Sequence, residues 1–313
     1  MSASARPSLA ARLLHAWLRS GVRGAWRATD AAARRFPSLH RVPVVVRGYP
    51  TVYVDLRIPG MTELFRRSPH DSPPWEAEQQ ALLRRLVRPR DVAYDVGANV
   101  GLHSVFLSVL VGPAGRVHAF EANSELYETL RRTVGGLANC TLHEFGLAEA
   151  DGEMLLMIPE NREMASLGAW TEGQPATTRR CALRSVDSLL AAGALPPADV
   201  VKCDIEGAEL LMLRGARRLV DTPSAPIVLA EANAGAARTL GYSSGDVPRF
   251  LLELPAARYT LFVEETPSRW VRATHFGELN QYVLAVPAAR LDRWPELERG
   301  TVIEVRGGEA TVN

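Results

Sequence analysis

Through the middle of the chain, short apolar runs alternate with longer runs of helical spacing. Val92–Val96, Arg116–Glu121, Cys140–Phe145, Val200–Asp204 and Ile227–Glu231 are compact, mostly apolar stretches and read as five strands. Between them, residues 101–110, 123–134 and 208–220 read as helices. Strands that alternate with helices in this way form a parallel sheet covered on both faces, so the fold class is α/β. Two features decorate the scheme. Glu153–Ile158 and Ala176–Leu183 predict an inserted pair of short strands, and Tyr259–Glu264 with Gln281–Val286 predict a terminal antiparallel pair.

The front of the chain follows another rhythm. Leu13, Leu14, Trp17 and Leu18 stand close to helical spacing, with Trp26 about two turns on. Val44–Val46 and Thr51–Ile58 predict a hairpin around Gly48-Tyr49-Pro50. Pro69, Pro73 and Pro74 break the chain, and Trp75 to Val87 then reads as a helix ended by Pro89. The expected organisation is an Arg-rich extension at 1–75, a main domain at 76–290 and a tail at 291–313.

Composition narrows the picture only a little. The 313 residues are 47% hydrophobic and 23% charged, as in an ordinary globular protein. The net charge of +1 gives no reason to expect a nucleic-acid partner. Arginine nearly replaces lysine, and Lys202 is the only lysine. Up to residue 47 the one acid is Asp30. That segment reads as a helical extension packed on the main domain, with peripheral contact to a membrane surface or a partner as the second reading. No apolar run reaches the length of a transmembrane helix, and no secretory leader is legible, so the expected location is cytoplasmic. Cys140, Cys181 and Cys203 are odd in number, spaced unlike a zinc site, and read as small buried hydrophobes.

The candidate chemistry begins where the first strand ends, at Tyr94-Asp95-Val96-Gly97-Ala98-Asn99-Val100-Gly101. Glycines let the chain turn tightly and let a ligand approach the helix start, at the edge where open α/β sheets bind ligands. A dinucleotide site needs G-x-G-x-x-G, but Asn99 and Leu102 occupy the second and third glycine places. Asp95 heads the turn instead, and a carboxylate there suits a ligand with a cationic amino-acid end. S-adenosylmethionine has such an end. Glu121 closes the second strand twenty residues past Gly101, where a carboxylate accepts hydrogen bonds from ribose hydroxyls. Asn123 follows close behind it.

A second constellation is Lys202-Cys203-Asp204-Ile205-Glu206-Gly207-Ala208-Glu209. Asp204 ends the fourth strand beside the first, where a reacting group and a nucleophile would meet. Strand alternation puts Lys202 on the same side, one step deeper. Glu209 reads as a solvated acid at a helix start. With Glu231 at the end of the fifth strand, Asp204 and Glu206 form a carboxylate set. It suits the hydroxyls of a polar acceptor and, as a second reading, a hard divalent ion; no metal is expected. Asp204 is the first candidate for a general base, Glu206 the second, and His103 a weaker third.

These motifs, with Gly152-Glu153 and Ser185-Val-Asp187-Ser-Leu189 in the same order, resemble the FkbM family of methyltransferases over about residues 76 to 286. The resemblance implies a class I, Rossmann-like methyltransferase fold with a mostly parallel seven-stranded sheet. It implies methyl transfer from S-adenosylmethionine, usually to a hydroxyl on a sugar or secondary metabolite. By it, Asp95, Gly97, Asn99 and Gly101 line the methionine end of the cofactor, Glu121 and Asn123 lie at the ribose and adenine, and Asp204 and Glu206 face the reaction. The family's Glu-Pro-Asn-Pro appears here as Glu121-Ala122-Asn123-Ser124. The acceptor pocket is expected around Ala165-Ser166-Leu167 and the loop after Glu231, with the N-terminal extension as a further contributor; Trp170 and Trp270 read as packing residues, with stacking on a sugar face as the second reading. The competing readings are a nicotinamide-dependent oxidoreductase and a non-catalytic module of the same fold that docks partners through its basic N-terminus.

Overall fold

The computed structural model describes residues 7–46, 49–68, 76–170, 173–306 and 309–312. In chain order the helices and strands are α1 (Leu9–Arg19), α2 (Ala25–Arg35), β1 (Val42–Val44), β2 (Val52–Val54), α3 (Pro59–Arg67), α4 (Ala77–Leu86), β3 (Val92–Val96), α5 (Leu102–Val111), β4 (Arg116–Phe120), α6 (Tyr127–Val134) and β5 (Cys140–His143). There follow β6 (Gly146–Leu147), β7 (Gly152–Pro159), β8 (Ala176–Arg184), α7 (Val186–Ala191), β9 (Val200–Cys203), α8 (Glu209–Arg214), α9 (Arg217–Val220), β10 (Ile227–Asn233), α10 (Ala234–Thr239) and α11 (Asp246–Leu252). The chain finishes with β11 (Tyr259–Thr266), β12 (Arg269–Arg272), β13 (Asn280–Pro287), β14 (Val302–Arg306) and β15 (Glu309–Val312).

The central sheet has ten strands in the order β15-β14-β12-β11-β13-β10-β9-β3-β4-β5. From β10 to β5 all neighbours are parallel, and β13 runs antiparallel between β10 and β11. This seven-strand part has the class I methyltransferase order, with the first strand, β3, between β9 and β4 and one reversed strand near the end. The sheet departs from the expected seven strands at one edge. There β12, β14 and β15 extend it antiparallel, two of them from residues 291–313, which were expected as a tail. Trp270 on β12 is fully buried between β11 and β14, and it supplies the apolar surface that this edge needs.

The inserted pair is present as β7 and β8, antiparallel over their length, with β6 beside β8 in a separate small sheet. The helix expected over 208–220 is broken into α8 and α9. Gly215 ends α8, and a side chain there would strike the Ala148 carbonyl at 2.0 Å. The front hairpin forms, with its first strand two residues earlier than expected and its second shortened to Val52–Val54. Gly48, Pro69, Pro73, Pro74 and Trp75 lie outside the described residues.

Helices α1 to α3 and the hairpin are not a loose appendage. Ala11, Leu18, Val52, Met61 and Phe65 share an apolar cluster with Val100, Val105 and Leu126 of the main sheet's helical layer. Each large buried side chain of this kind contributes roughly 1.5–3 kcal/mol, which fixes α3 against the mouth of the first crossover. The three cysteines are unbridged; Cys181 and Cys203 are buried and Cys140 half-buried. Among the described residues no helix is long and apolar enough to cross a membrane.

Candidate active site

A cavity of about 380 Å³ opens at the carboxyl edge of the sheet. Its floor is the turn after β3, with Gly97 and Asn99. Glu121 stands on one side, and Lys202, Asp204, Glu231 and Tyr282 on the other. Leu64 of α3 and Glu163, from the loop between β7 and β8, close the top. The size is within the usual range for a small-molecule site.

The floor depends on Gly97. Its φ is +80°, and a Cβ there would lie 1.8 Å from the Asp204 carbonyl oxygen. Only a glycine lets the first turn pass so close to the end of β9, so the two constellations read from the sequence are in backbone contact.

Glu121 is anchored by the same turn. Its Oε2 accepts the backbone N–H of Asn99 at 2.8 Å, and its Oε1 accepts that of Asn123 at 2.8 Å. Burial pushes its pKa up, while those N–H groups and that of Ala122 work the other way. Asn99 lines the cavity, and its Oδ1 is buried with no hydrogen-bond partner among the described residues. Such an orphaned acceptor fits a ligand that brings N–H donors, as the amino-acid end of S-adenosylmethionine does.

Three residues expected at the cofactor lie outside the cavity lining, against other parts of the protein. Asp95 is fully buried beneath the turn; it accepts a 2.6 Å hydrogen bond from the Ser104 hydroxyl, and its Oδ1 lies 4.0 Å from the Lys202 ammonium. Gly101 faces α6, where a Cβ would touch Leu130 and Thr133 at 3.0 Å. Asn123 caps the loop after β4: its Oδ1 accepts the Glu125 N–H at 3.0 Å, and its Nδ2 donates to the Arg162 carbonyl at 3.1 Å. None of the three is among the residues that line the cavity.

At the other wall, Lys202 Nζ lies 3.2 Å from Asp204 Oδ2, as strand alternation requires. The Tyr282 hydroxyl donates to the same oxygen at 2.8 Å. Burial opposes ionisation of Asp204. The Lys202 charge and the hydrogen bonds from Glu231, Tyr282 and Lys202 outweigh it and hold the carboxyl below its ordinary range. Burial likewise works against the Lys202 ammonium, yet Asp204 and Asp95 hold its pKa above the usual value. Glu231 goes the other way. Its burial, followed by the Asp204 and Glu206 charges, pushes its pKa well up, so Glu231 holds a proton more tightly than Asp204 does.

Glu206 has φ +50° and accepts a 3.2 Å hydrogen bond from Asn233 Nδ2. Asp204, Glu206 and Glu231 offer oxygens within 4.8 Å of one another, so this trio is the set that would hold a divalent cation. Glu209 is not the solvated acid expected. It is 1% exposed, and its Oε1 accepts the backbone N–H groups of Ile205 and Gly207, which holds the loop after β9 in shape. His103 is buried at the cavity wall 3.2 Å from Glu76, and burial together with Lys202 lowers its pKa to about 4.

The insertion is tied down over the cavity. Arg162 pairs with Glu125 at 2.7 Å, and the Ser166 hydroxyl donates to the Glu206 carbonyl at 2.6 Å. Ala165 and Leu167 line the cavity, as expected of that segment. Trp170 packs on Gly235. Glu163, Glu76 and Tyr282 had no local sequence signal. Tyr282 arrives because β13 pairs with β10 in a register that sets it opposite Glu231.

The sequence model of the methyltransferase FkbM domain matches residues 95–261. The chain is 27% identical over 163 residues to the hexuronic acid methyltransferase AglP of Haloferax volcanii, which is 50% of this chain and 63% of that protein. Among solved structures, it is similar to the methyltransferase FkbM from Methylobacillus flagellatus at 17% identity and TM-score 0.41, covering 72% of this chain and 57% of that one. It is also similar to the O-methyltransferase TomG from Streptomyces achromogenes at 14% identity and TM-score 0.40, covering 70% and 81%.

Proposed function

The chain belongs to the FkbM methyltransferase family, which uses S-adenosylmethionine, and on that premise we propose that it methylates a hydroxyl group of a small sugar-like acceptor with Asp204 as the base. One observation carries the reading: Asp204 lines the cavity next to the turn that would hold the donor, with Lys202 at 3.2 Å and the Tyr282 hydroxyl at 2.8 Å favouring its ionised form.

When bound, S-adenosylmethionine supplies a methyl on a sulfonium, so the attacking oxygen displaces a neutral thioether. The protein's own share is positioning and one proton. Asn99 and the Gly97 turn would hold the methionine end, and Glu121 the ribose. Ala122, Gly146, Leu147 and Leu183 form an apolar wall suited to adenine. Positioning of this kind lowers a barrier by roughly 7–11 kcal/mol. Asp204 would take the proton of the acceptor hydroxyl, with Lys202 and Tyr282 fixing its orientation. Glu206 would accept a hydrogen bond from a neighbouring hydroxyl. A polar rim of carboxylates facing a donor fits a polyhydroxylated acceptor, and the hexuronic acid methyltransferase among the relatives supports a sugar of that kind.

The nicotinamide reading is set aside by the family match and by Asn99 and Leu102 at glycine places. The test is calorimetry with S-adenosylhomocysteine, followed by incubation with S-adenosylmethionine and a panel of glycosides, amines and carboxylic acids. One added methyl on a glycoside hydroxyl supports the proposal. Methylation confined to amines or carboxylates would overturn it.

A further inference from the structure

A helix packed on a protein normally shows one apolar face to the core and a polar face to water. Helix α1 breaks this rule. Ala11 and Leu18 are buried on its inner face, while Leu9, Leu13 and Trp17, spaced four apart, form a second apolar stripe on the outer face. They are 68%, 64% and 40% exposed. Single exposed apolar residues need no explanation, but a continuous stripe marks a contact surface. The turn to α2 continues it with Val22, 54% exposed, and Trp26, 43% exposed.

The segment that carries the stripe is basic, although Arg41 pairs with Glu128 of α6. From residue 7 to residue 46 the chain carries seven arginines and one acid, Asp30, which is paired with Arg34. Arg12, Arg23 and Arg27 are exposed beside the apolar stripe. The rest of the molecule offsets this charge, since the whole chain is only +1. An apolar ridge with Trp residues, flanked by arginines, matches the two layers of an anionic lipid surface: headgroup phosphates meet the arginines and the acyl boundary takes the ridge.

We propose that the outer face of α1 and α2 docks this protein on an anionic lipid bilayer. The surface is joined to the site. His15 of α1 packs edge-on against Phe65 of α3 at 5.0 Å, and Gly60 and Leu64 of α3 line the cavity. Docking therefore holds the cavity wall near the lipid surface.

The experiment is flotation of the full chain with vesicles of phosphatidylcholine alone and with about one quarter phosphatidylglycerol added. The protein is expected to float with the anionic vesicles and not with the neutral ones, and rising salt should release it. Leu13→Ser with Trp17→Ser should weaken flotation by about tenfold or more, and Arg23→Gln with Arg27→Gln by a similar factor. Circular dichroism and S-adenosylhomocysteine calorimetry check that each variant is folded, and both readouts should match the parent chain. Equal flotation with neutral vesicles, or flotation untouched by both variants, overturns the proposal. So does an absence of flotation in a chain whose dimer the Leu13 and Trp17 changes dissociate, which would make the stripe a contact between copies. None of these outcomes depends on methyl transfer.

Discussion

The Tyr282 hydroxyl donates a 2.8 Å hydrogen bond to Oδ2 of Asp204, an oxygen that also lies 3.2 Å from the Lys202 ammonium. The bond favours the ionised carboxylate. Tyr282→Phe should therefore raise the Asp204 pKa and move the acid limb of the kcat profile up by about one pH unit, the worth of one hydrogen bond to a charged group. A purely structural Tyr282 would leave that limb in place, with only the thermal midpoint changed.

Asp204→Asn should lower kcat by about 10²–10⁴-fold while S-adenosylhomocysteine affinity stays within about threefold. Single-turnover kinetics with calorimetry on the same sample decides it. Full turnover in the variant would assign the proton to another group, with Glu206 next in line.

Glu121 accepts one backbone N–H on each carboxylate oxygen. Glu121→Gln turns one acceptor into a donor facing a buried N–H, at a stability cost of about 1–3 kcal/mol. Urea melts should show that loss, and cofactor affinity should fall with it, because the turn carrying Asn99 would shift. A fully stable variant that binds normally would contradict both roles.

Gly97→Ala should be the most damaging change of a single methyl group in this site. The residue sits at φ +80°, and its Cβ would fall 1.8 Å from the Asp204 carbonyl oxygen. Strain and overlap together should cost at least about 2 kcal/mol and abolish cofactor binding. Thermal shift with and without S-adenosylhomocysteine reads both effects.

Burial raises the carboxyls of Glu163 and Glu209 to about 7 each. A carboxyl whose folded pKa is raised binds its proton more tightly in the native state. Its stabilising contribution is complete below its unfolded pKa and is lost as pH rises through about 7. The protein should thus lose stability between about pH 5 and 8, by no more than about 3 kcal/mol per group. Glu163→Gln should flatten that slope in denaturant titrations. An unchanged slope would place the Glu163 carboxyl in ordinary solvent.

The sequence by itself determined the parts that depend on neighbours along the chain. The apolar runs of β3, β4, β9 and β10, the Asp95–Gly101 turn and the acid at Glu121 are short-range signals, and all stand where they were read. The juxtaposition of Asp204 with Lys202 also followed, because alternation along one strand is local geometry.

What only the tertiary structure decided is which groups share the cavity. Tyr282 joins Asp204 through the register of β13 on β10, a pairing across 78 residues that no local pattern encodes. Glu163 arrives on an inserted loop, and Gly60 and Leu64 come from an N-terminal helix held by apolar packing. Asp95, which headed the sequence motif, turns inward to Ser104 and Lys202, because a strand buried on both faces can present only its last residues at the edge. The edge strands β12, β14 and β15 were missed for the same reason that sheets are hard to read locally: short strands gain their stability only from the partners they meet in the fold.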